Sequence, residues 1–289
     1  MLPFFTETFG NAASRSHAFG WTAEAAVEEA RNQVAQLVGA HPKEILWTSG
    51  STEANNLAIK GVAQMYRQKG NHLITAVTEH KAVLDPMKYL ETQGFEVTFL
   101  PVDGKGHIDL DQLAAAITDK TILVSLMAAN NEVGTLHPIE KIGALCKQKG
   151  TLFHTDATQA PARSRSTSKR STSTCCRCRR TRCTARRASV ASTCAARTRA
   201  CAWSQMDGGG HERGMRSGTL NVTGIVGMGE AARICREEMA TEVPKLRALR
   251  DRLEARLLAA LPDAVQNGDP ARACRTSPTS RSRTSRASR

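Results

Sequence analysis

The chain has 289 residues, 40 Lys and Arg against 27 Asp and Glu, and a formal net charge of +13. Such a length could bury one large α/β core or two smaller ones. The charge would ordinarily suggest nucleic acid or an anionic membrane surface, but residues 162–204 alone hold eleven Arg and one Lys without an acid, and residues 271–289 hold six Arg without an acid. The rest of the chain is mildly acidic, which argues against a nucleic-acid partner for its ordered part. No apolar run approaches the ~18 residues needed to span a bilayer, and residues 1–5 lack a charged n-region and a cleavage site. The expectation is a cytoplasmic protein with no membrane partner. Outside the two biased segments the cysteines are Cys146 and Cys235, both in helical patterns, so no disulfide framework is implied.

In chain order, Val27, Ala30, Val34, Leu37 and Val38 recur at helical spacing, and Gly39 follows as a stop. A short strand over 45–48 leads into Thr48-Ser49-Gly50-Ser51-Thr52-Glu53-Ala54-Asn55-Asn56 at the mouth of a helix. Unpaired amides at such a helix start suit a phosphate, although the same turn also serves as an ordinary capped connection. Strands are predicted at 72–77, 95–100, 121–127 and 151–155, with helices after 81, over 109–117 and over 138–149. Residues 221–241 and 243–261 read as two helices. The second carries an apolar stripe of Leu246, Leu249, Leu253, Leu257 and Leu261, which, with Met228 and Met239, is expected to pack in a core or a dimer contact.

Aliphatic strands alternating with helices imply a mostly parallel sheet covered on both faces, where ligands bind beyond the carboxyl ends of the strands. Thr52, His80, Asn131 and Asp156 each follow or end a strand, so all four should crowd one edge of the sheet. Each also has a plainer reading: His80 as a cap or surface histidine, Asn131 as a turn residue, Asp156 as a helix N-cap.

The pattern breaks at residue 162. Residues 162–204 contain no Leu, Ile, Met or Phe and hold six of the nine Cys. Cys175, Cys176, Cys178 and Cys183 lack the paired spacing of a zinc site, and no metal is expected. An arginine-rich arm for nucleic acid remains chemically possible, as does a disordered insert with too little apolar surface to offset its backbone entropy.

Six stretches resemble the cysteine desulfurases of the class V aminotransferase family. They are residues 9–17 (FGNAASRSH), the TSGSTEANN turn, Thr78-Glu79-His80-Lys81-Ala82-Val83, Asn130-Asn131-Glu132-Val133-Gly134, His154-Thr155-Asp156-Ala157-Thr158-Gln159, and residues 208–219 (GGGHERGMRSGT). The resemblance covers residues 1–161 and 205 to about 269. It implies a fold-type-I pyridoxal-phosphate transferase of α/β class. Such enzymes are homodimers that convert L-cysteine to L-alanine and pass the sulfur, as a persulfide, to an iron-sulfur scaffold or another sulfur acceptor. By the same resemblance, Ser51 and Thr52 cradle the phosphate of pyridoxal 5'-phosphate and Thr219 reaches the phosphate of the neighbouring subunit. His80 stacks on the ring and assists proton transfer, Asp156 pairs with the ring nitrogen, Gln159 bonds the ring oxygen, and Asn131 helps hold ring and substrate.

The resemblance also sets domain expectations. Residues 1–161 correspond to the large cofactor-binding domain without its opening strand, so that Met1 is expected to be an internal start. Residues 162–204 replace the lysine region, 205–242 close the large domain, 243–270 begin the small domain, and 271–289 form an aberrant basic tail. Two family residues are missing: the lysine that bonds the cofactor and a cysteine on a mobile loop. Flanking spacing puts Thr181 and Arg182 at the His-Lys positions, and a guanidinium offers no free amine.

Read one base out of register with GC-rich codons, residues 179–190 become AHKMYGPKGVG, and the chain from Ala273 becomes VPNIPNVSFAYVEGESL. The expectation is therefore two frameshifted segments and a chain inactive as written. That chain is expected to expose sheet edges and part of the core where family strands are lost, and to express poorly or aggregate. Selenocysteine lyase, or a non-catalytic remnant, is the alternative reading.

Overall fold

The computed structural model describes residues 1–159, 173–178, 190–194, 203–270 and 280–282. A short helix α1 (Pro3–Thr6) precedes the long α2 (Ala18–Val38), which starts where His17 accepts from Gly20 N at 3.2 Å. It ends at Gly39, whose φ of 71° is the left-handed conformation that glycine adopts without a Cβ clash. Then come β1 (Ile45–Thr48), α3 (Ser51–Met65), β2 (His72–Ala76), α4 (Lys81–Thr92), β3 (Glu96–Leu100), α5 (Leu110–Ala116), β4 (Thr121–Ser125), α6 (Ile139–Gln148) and β5 (Leu152–Ala157). The chain continues with β6 (Ser173–Cys178), β7 (Val190–Cys194), α7 (Val222–Ala260), β8 (Ala264–Gln266) and β9 (Ser280–Ser282).

Seven strands form one sheet in the order β1-β7-β6-β5-β4-β2-β3. The β2, β3, β4, β5 and β6 ladders are parallel, and β7 runs antiparallel to both β6 and β1. The expected mostly parallel sheet with helices on both faces is the observed fold. Burial follows from that layering. Strands β1, β2 and β4 are buried at every position, as strands covered on both sides must be. One apolar cluster joins α2, β1 and the start of α7 around Trp47 and Ile225; a second joins α3, α4 and β2 around Leu73 and Met87; a third joins β4, α5 and α6 around Leu113 and Phe153.

Two expectations need correction. Residues 222–260 form one helix of 39 residues rather than two, with Pro244 inside it. Proline removes one i to i−4 bond, but Pro244 and Ala240, whose carbonyl loses its donor, are both exposed, so water can take that carbonyl and the helix runs on. Leu249 and Leu253 on this helix and Leu261 at its C-cap are 54%, 47% and 53% exposed, while Leu246 and Leu257 are half-buried, so none of the five leucines of the stripe is fully core among the described residues. Met228, one of the two methionines expected to pack with it, is buried.

The sheet edges expected to lie open are instead filled, because the backbone of 173–178 pairs with β5 and that of 190–194 pairs with β1. Ladder bonds join main-chain groups and do not require the family's side chains. Thr181 and Arg182, and Cys183 of the four cysteines weighed for zinc, lie outside the described residues.

Candidate functional site at the carboxyl edge of the sheet

The site begins with α3. Its N-cap, Gly50, is fully extended at φ −179° and contributes no side-chain cap, and the space around its Cα is open. First-turn amides of a helix have no partner within the helix, so the start of α3 offers them to an anion. Glu53 braces the turn from behind. Its Oε2 accepts from Ser49 N at 2.7 Å and its Oε1 from Arg216 Nε at 2.7 Å. Burial alone would raise the Glu53 carboxyl, but Arg216 and Ser49 outweigh it and hold the group below the usual carboxylate range.

Asp156 is the penultimate residue of β5, 6% exposed. Its Oδ2 accepts from Asn55 Nδ2 at 3.0 Å, and its Oδ1 accepts from Thr158 N at 2.9 Å and from the Thr158 hydroxyl. Asn55 is fully buried, one turn into α3. One contact thus ties the uncapped start of α3 to the acid at the end of β5.

Neighbouring contacts bring in the remaining strand ends. Ala128 N donates to the Asp156 carbonyl at 3.0 Å. Met127 N donates to Glu79 Oε1 at 2.6 Å, and Asn130 Nδ2 donates to the Thr78 carbonyl at 3.1 Å. These link the turn after β2 to the turn after β4, and the latter to β5. These contacts join the first turns of α3, the loops after β2 and β4 and the end of β5, the elements on which Thr52, His80, Asn131 and Asp156 lie.

Their individual settings differ. His80 is the N-cap of α4, with Nδ1 accepting from Ala82 N at 3.0 Å and the ring exposed; a neutral ring so placed carries its proton on Nε2. Asn131 is exposed beside Asn130, and it is Asn130 that organises the turn, accepting from the amides of Glu132 and Val133 at 2.9 Å each. Thr52 is exposed on the first turn of α3, Ser51 half-buried beside it, and Gln159 half-buried just beyond Asp156. Thr219 is exposed, three residues past Arg216.

Sequence reasoning gave no role to Asn55, Thr158, Glu79 or Arg216. Asn55 had a readable signal in being one helical turn beyond Ser51, and Glu79 in being an acid directly beside His80 at a strand end. Glu79 is 6% exposed; burial, with the nearby Asp156 charge adding, pushes its carboxyl up to about 8. Among the described residues no group of three or more His, Cys, Asp or Glu is arranged to hold a metal, and no helix is long and apolar enough to cross a membrane.

Residues 1–169 match the family described as aminotransferase class-V. The chain belongs to the class-V aminotransferases. Members of this family use pyridoxal 5'-phosphate, and the uncapped helix start and the buried acid one turn away suit a group with a phosphate at one end and a basic ring nitrogen at the other.

The chain is 53% identical over 268 residues to a cysteine desulfurase IscS from Anaeromyxobacter sp. (strain Fw109-5), covering 93% of this chain and 66% of that protein. It is 51% identical over 269 residues to the IscS of Methylococcus capsulatus (strain ATCC 33009 / NCIMB 11132 / Bath), with the same two coverages. The chain thus spans just under two thirds of the length of these relatives. Among solved structures, a NifS-like protein superposes with a TM-score of 0.87 at 34% identity, covering 95% of this chain and 74% of that one. DndA from Streptomyces lividans gives 0.85 at 34% identity, covering 95% and 77%.

Proposed function

We propose that this class-V chain is, by descent, a cysteine desulfurase whose cofactor site is preserved and whose covalent chemistry has been lost. The observation that carries the reading is the Asn55–Asp156 hydrogen bond. Along α3, Asn55 lies four residues from Ser51, about 6 Å of helix rise, so an anion site and a buried carboxylate share one short span. Ser51 and Thr52 would hold the phosphate with their amides and hydroxyls. Asp156, fixed by Asn55 and Thr158, would keep a ring nitrogen protonated. His80 would cover the ring, Gln159 would bond the ring oxygen, Asn131 would steady ring and substrate, and Thr219 would serve the phosphate across a homodimer. When bound, pyridoxal phosphate accepts the electrons released as an amino-acid substrate loses its α-proton.

The substrate of the ancestral enzyme is L-cysteine, with sulfur passed as a persulfide to an iron-sulfur scaffold or another acceptor, in the cytoplasm. A homodimer is supported by the exposed aromatic surface of the N-terminal segment, where Phe9 stacks on Phe19 at 5.9 Å and Trp21 is 57% exposed. Domain limits follow the sequence: residues 243–270 open the small domain and 162–204 stand in for the lysine region.

The literal chain has Arg at the position that spacing assigns to the cofactor lysine. The test is a pair of proteins, the literal chain and one with residues 162–204 restored to the shifted frame. Borohydride treatment with pyridoxal phosphate should fix the cofactor on the regained lysine of the restored protein, and the literal chain should form no alanine from L-cysteine. Alanine formation by the literal chain overturns the inactive reading. Absence of cofactor on the restored lysine overturns the assignment.

A further inference from the structure

A second carboxyl lies at the same sheet edge, and the mechanism above does not use it. Glu79 sits three residues past β2, sealed from solvent. Its Oε1 accepts from Met127 N at 2.6 Å, and its buried Oε2 has no hydrogen-bond partner among the described residues. Met127 directly precedes Ala128, whose amide binds the Asp156 carbonyl. Because the sheet runs β2-β4-β5, Glu79 and Asp156 flank the end of β4 from its two sides.

Their surroundings are unequal. Asp156 accepts from Asn55 Nδ2, Thr158 N and the Thr158 hydroxyl, whereas Glu79 has one backbone donor. Hydrogen bonds to the charged form favour it, and two neighbouring buried carboxyls resist ionising together. The better-solvated acid keeps the charge, and the other keeps a proton.

We propose that Glu79 is a positioning residue that carries the proton of this pair on Oε2 and thereby confines the negative charge at the strand ends to Asp156. The proposal rests on the cofactor reading above, in which that charge faces a ring nitrogen. A second ionised carboxylate would divide the attraction between two positions, and a neutral Glu79 prevents it. The groups around Glu79 are compatible with this. The β4 end presents the Met127 amide, and the following loop presents neutral Asn130, bound to the Thr78 carbonyl. His80, next in sequence, is exposed with Nδ1 on Ala82 N, and the charge acting on Glu79 is that of Asp156 on β5. Burial and that charge together push the Glu79 carboxyl up to about 8.

The experiment compares the full chain with its Glu79→Gln and Asp156→Asn variants. Urea midpoints are measured from about pH 5 to about pH 9. The midpoint of the parent should fall steadily relative to that of Glu79→Gln up to about pH 8, since the opposite trend that the buried, neutral His137 adds below about pH 6.5 is common to both. Infrared spectra of the parent should show a protonated-carboxyl band near neutral pH that fades above about pH 8 and is missing in Glu79→Gln.

Pyridoxal phosphate affinity, read by quenching of tryptophan fluorescence near neutral pH, should change by no more than about twofold in Glu79→Gln and fall about tenfold or more in Asp156→Asn. Parallel stability profiles, or no such band, overturn the proton assignment. Equal loss of affinity in both variants overturns the division of roles. Undiminished affinity in Asp156→Asn overturns the cofactor reading and with it the role at the ring, while the pH profile and the band still decide where the proton sits. Should Glu79→Gln fail to fold, the infrared band of the parent alone decides.

Discussion

Arg31 and Glu212 lie 181 positions apart in sequence and meet as a buried pair, 5% and 8% exposed. Arg31 Nη2 donates to Glu212 Oε1 at 2.8 Å and Nη1 to Oε2 at 3.0 Å, while Glu212 Oε2 also accepts from Trp47 N at 2.9 Å. The carboxylate therefore ties α2, β1 and the turn that carries Arg216 to one point. Holding it there requires Glu212 and Arg213 at φ of 48° and 60°, a left-handed backbone that non-glycine residues seldom adopt. Glu212→Ala would leave the buried guanidinium with only the exposed Glu28, 2.9 Å from its Nε, as counter-charge, and urea unfolding should show a loss of about 3 kcal/mol. Glu79 predicts a pH dependence of opposite character to that of a salt-bridged acid. Its folded pKa, about 8, lies above that of an exposed Glu, so the folded state keeps a proton that the unfolded chain releases. The contribution of Glu79 to stability falls as pH rises from about 4.5 to about 8, by up to about 1.4 kcal/mol per pH unit, and then levels off, while His137, pushed down to about 4 by burial, contributes with the opposite sign below about pH 6.5. Identical pH profiles of the urea midpoint in the parent and in Glu79→Gln would contradict a buried, proton-holding Glu79.

At the scale of elements, α7 and α2 govern the packing of the first core cluster. Gly229 of α7 lets the helices close: a Cβ placed there would lie 2.6 Å from the Cα and Cβ of Ala30 on α2. Gly229→Val should cost about 1–3 kcal/mol through overpacking, read as a lower urea midpoint, while the same change at open Gly104 should do far less. The far half of α7 behaves differently because it lies largely in solvent. Pro244→Ala there restores one backbone bond and removes a ring clash, so thermal unfolding should shift upward by an amount equivalent to about 1–3 kcal/mol. The turn following this helix is fastened as well: Asp269 Oδ2 meets His107 Nε2 at 2.9 Å, and Gly268 lies against the Val133 carbonyl, two residues beyond Asn131. The segment entering the proposed small domain thus touches the loop that borders the cofactor site.

At the scale of the molecule, the basic charge belongs to two segments rather than to a surface, and resequencing of the gene tests their origin. A compensating pair of insertions or deletions near codons 161 and 204 is the expected result, and a clean single frame across both points would overturn the frameshift reading. If the N-terminal aromatic surface is a subunit contact, Phe9→Ser with Phe19→Ser should halve the mass seen by sedimentation. The sequence by itself determined the α/β class, the strand-end placement of Thr52, His80, Asn131 and Asp156, and the family, because strand and helix periodicity and short polar turns are local properties of the chain. Tertiary structure decided the rest. It made α7 one helix through Pro244, since the solvent around Ala240 and Pro244 can take the freed carbonyl, and it left Leu249, Leu253 and Leu261 outside the core. It also set Asn55 on Asp156, Glu212 on Arg31 and Glu79 beside a second acid, because which buried polar groups become partners depends on strand order and helix crossing, and neither is written in the spacing of residues along the chain.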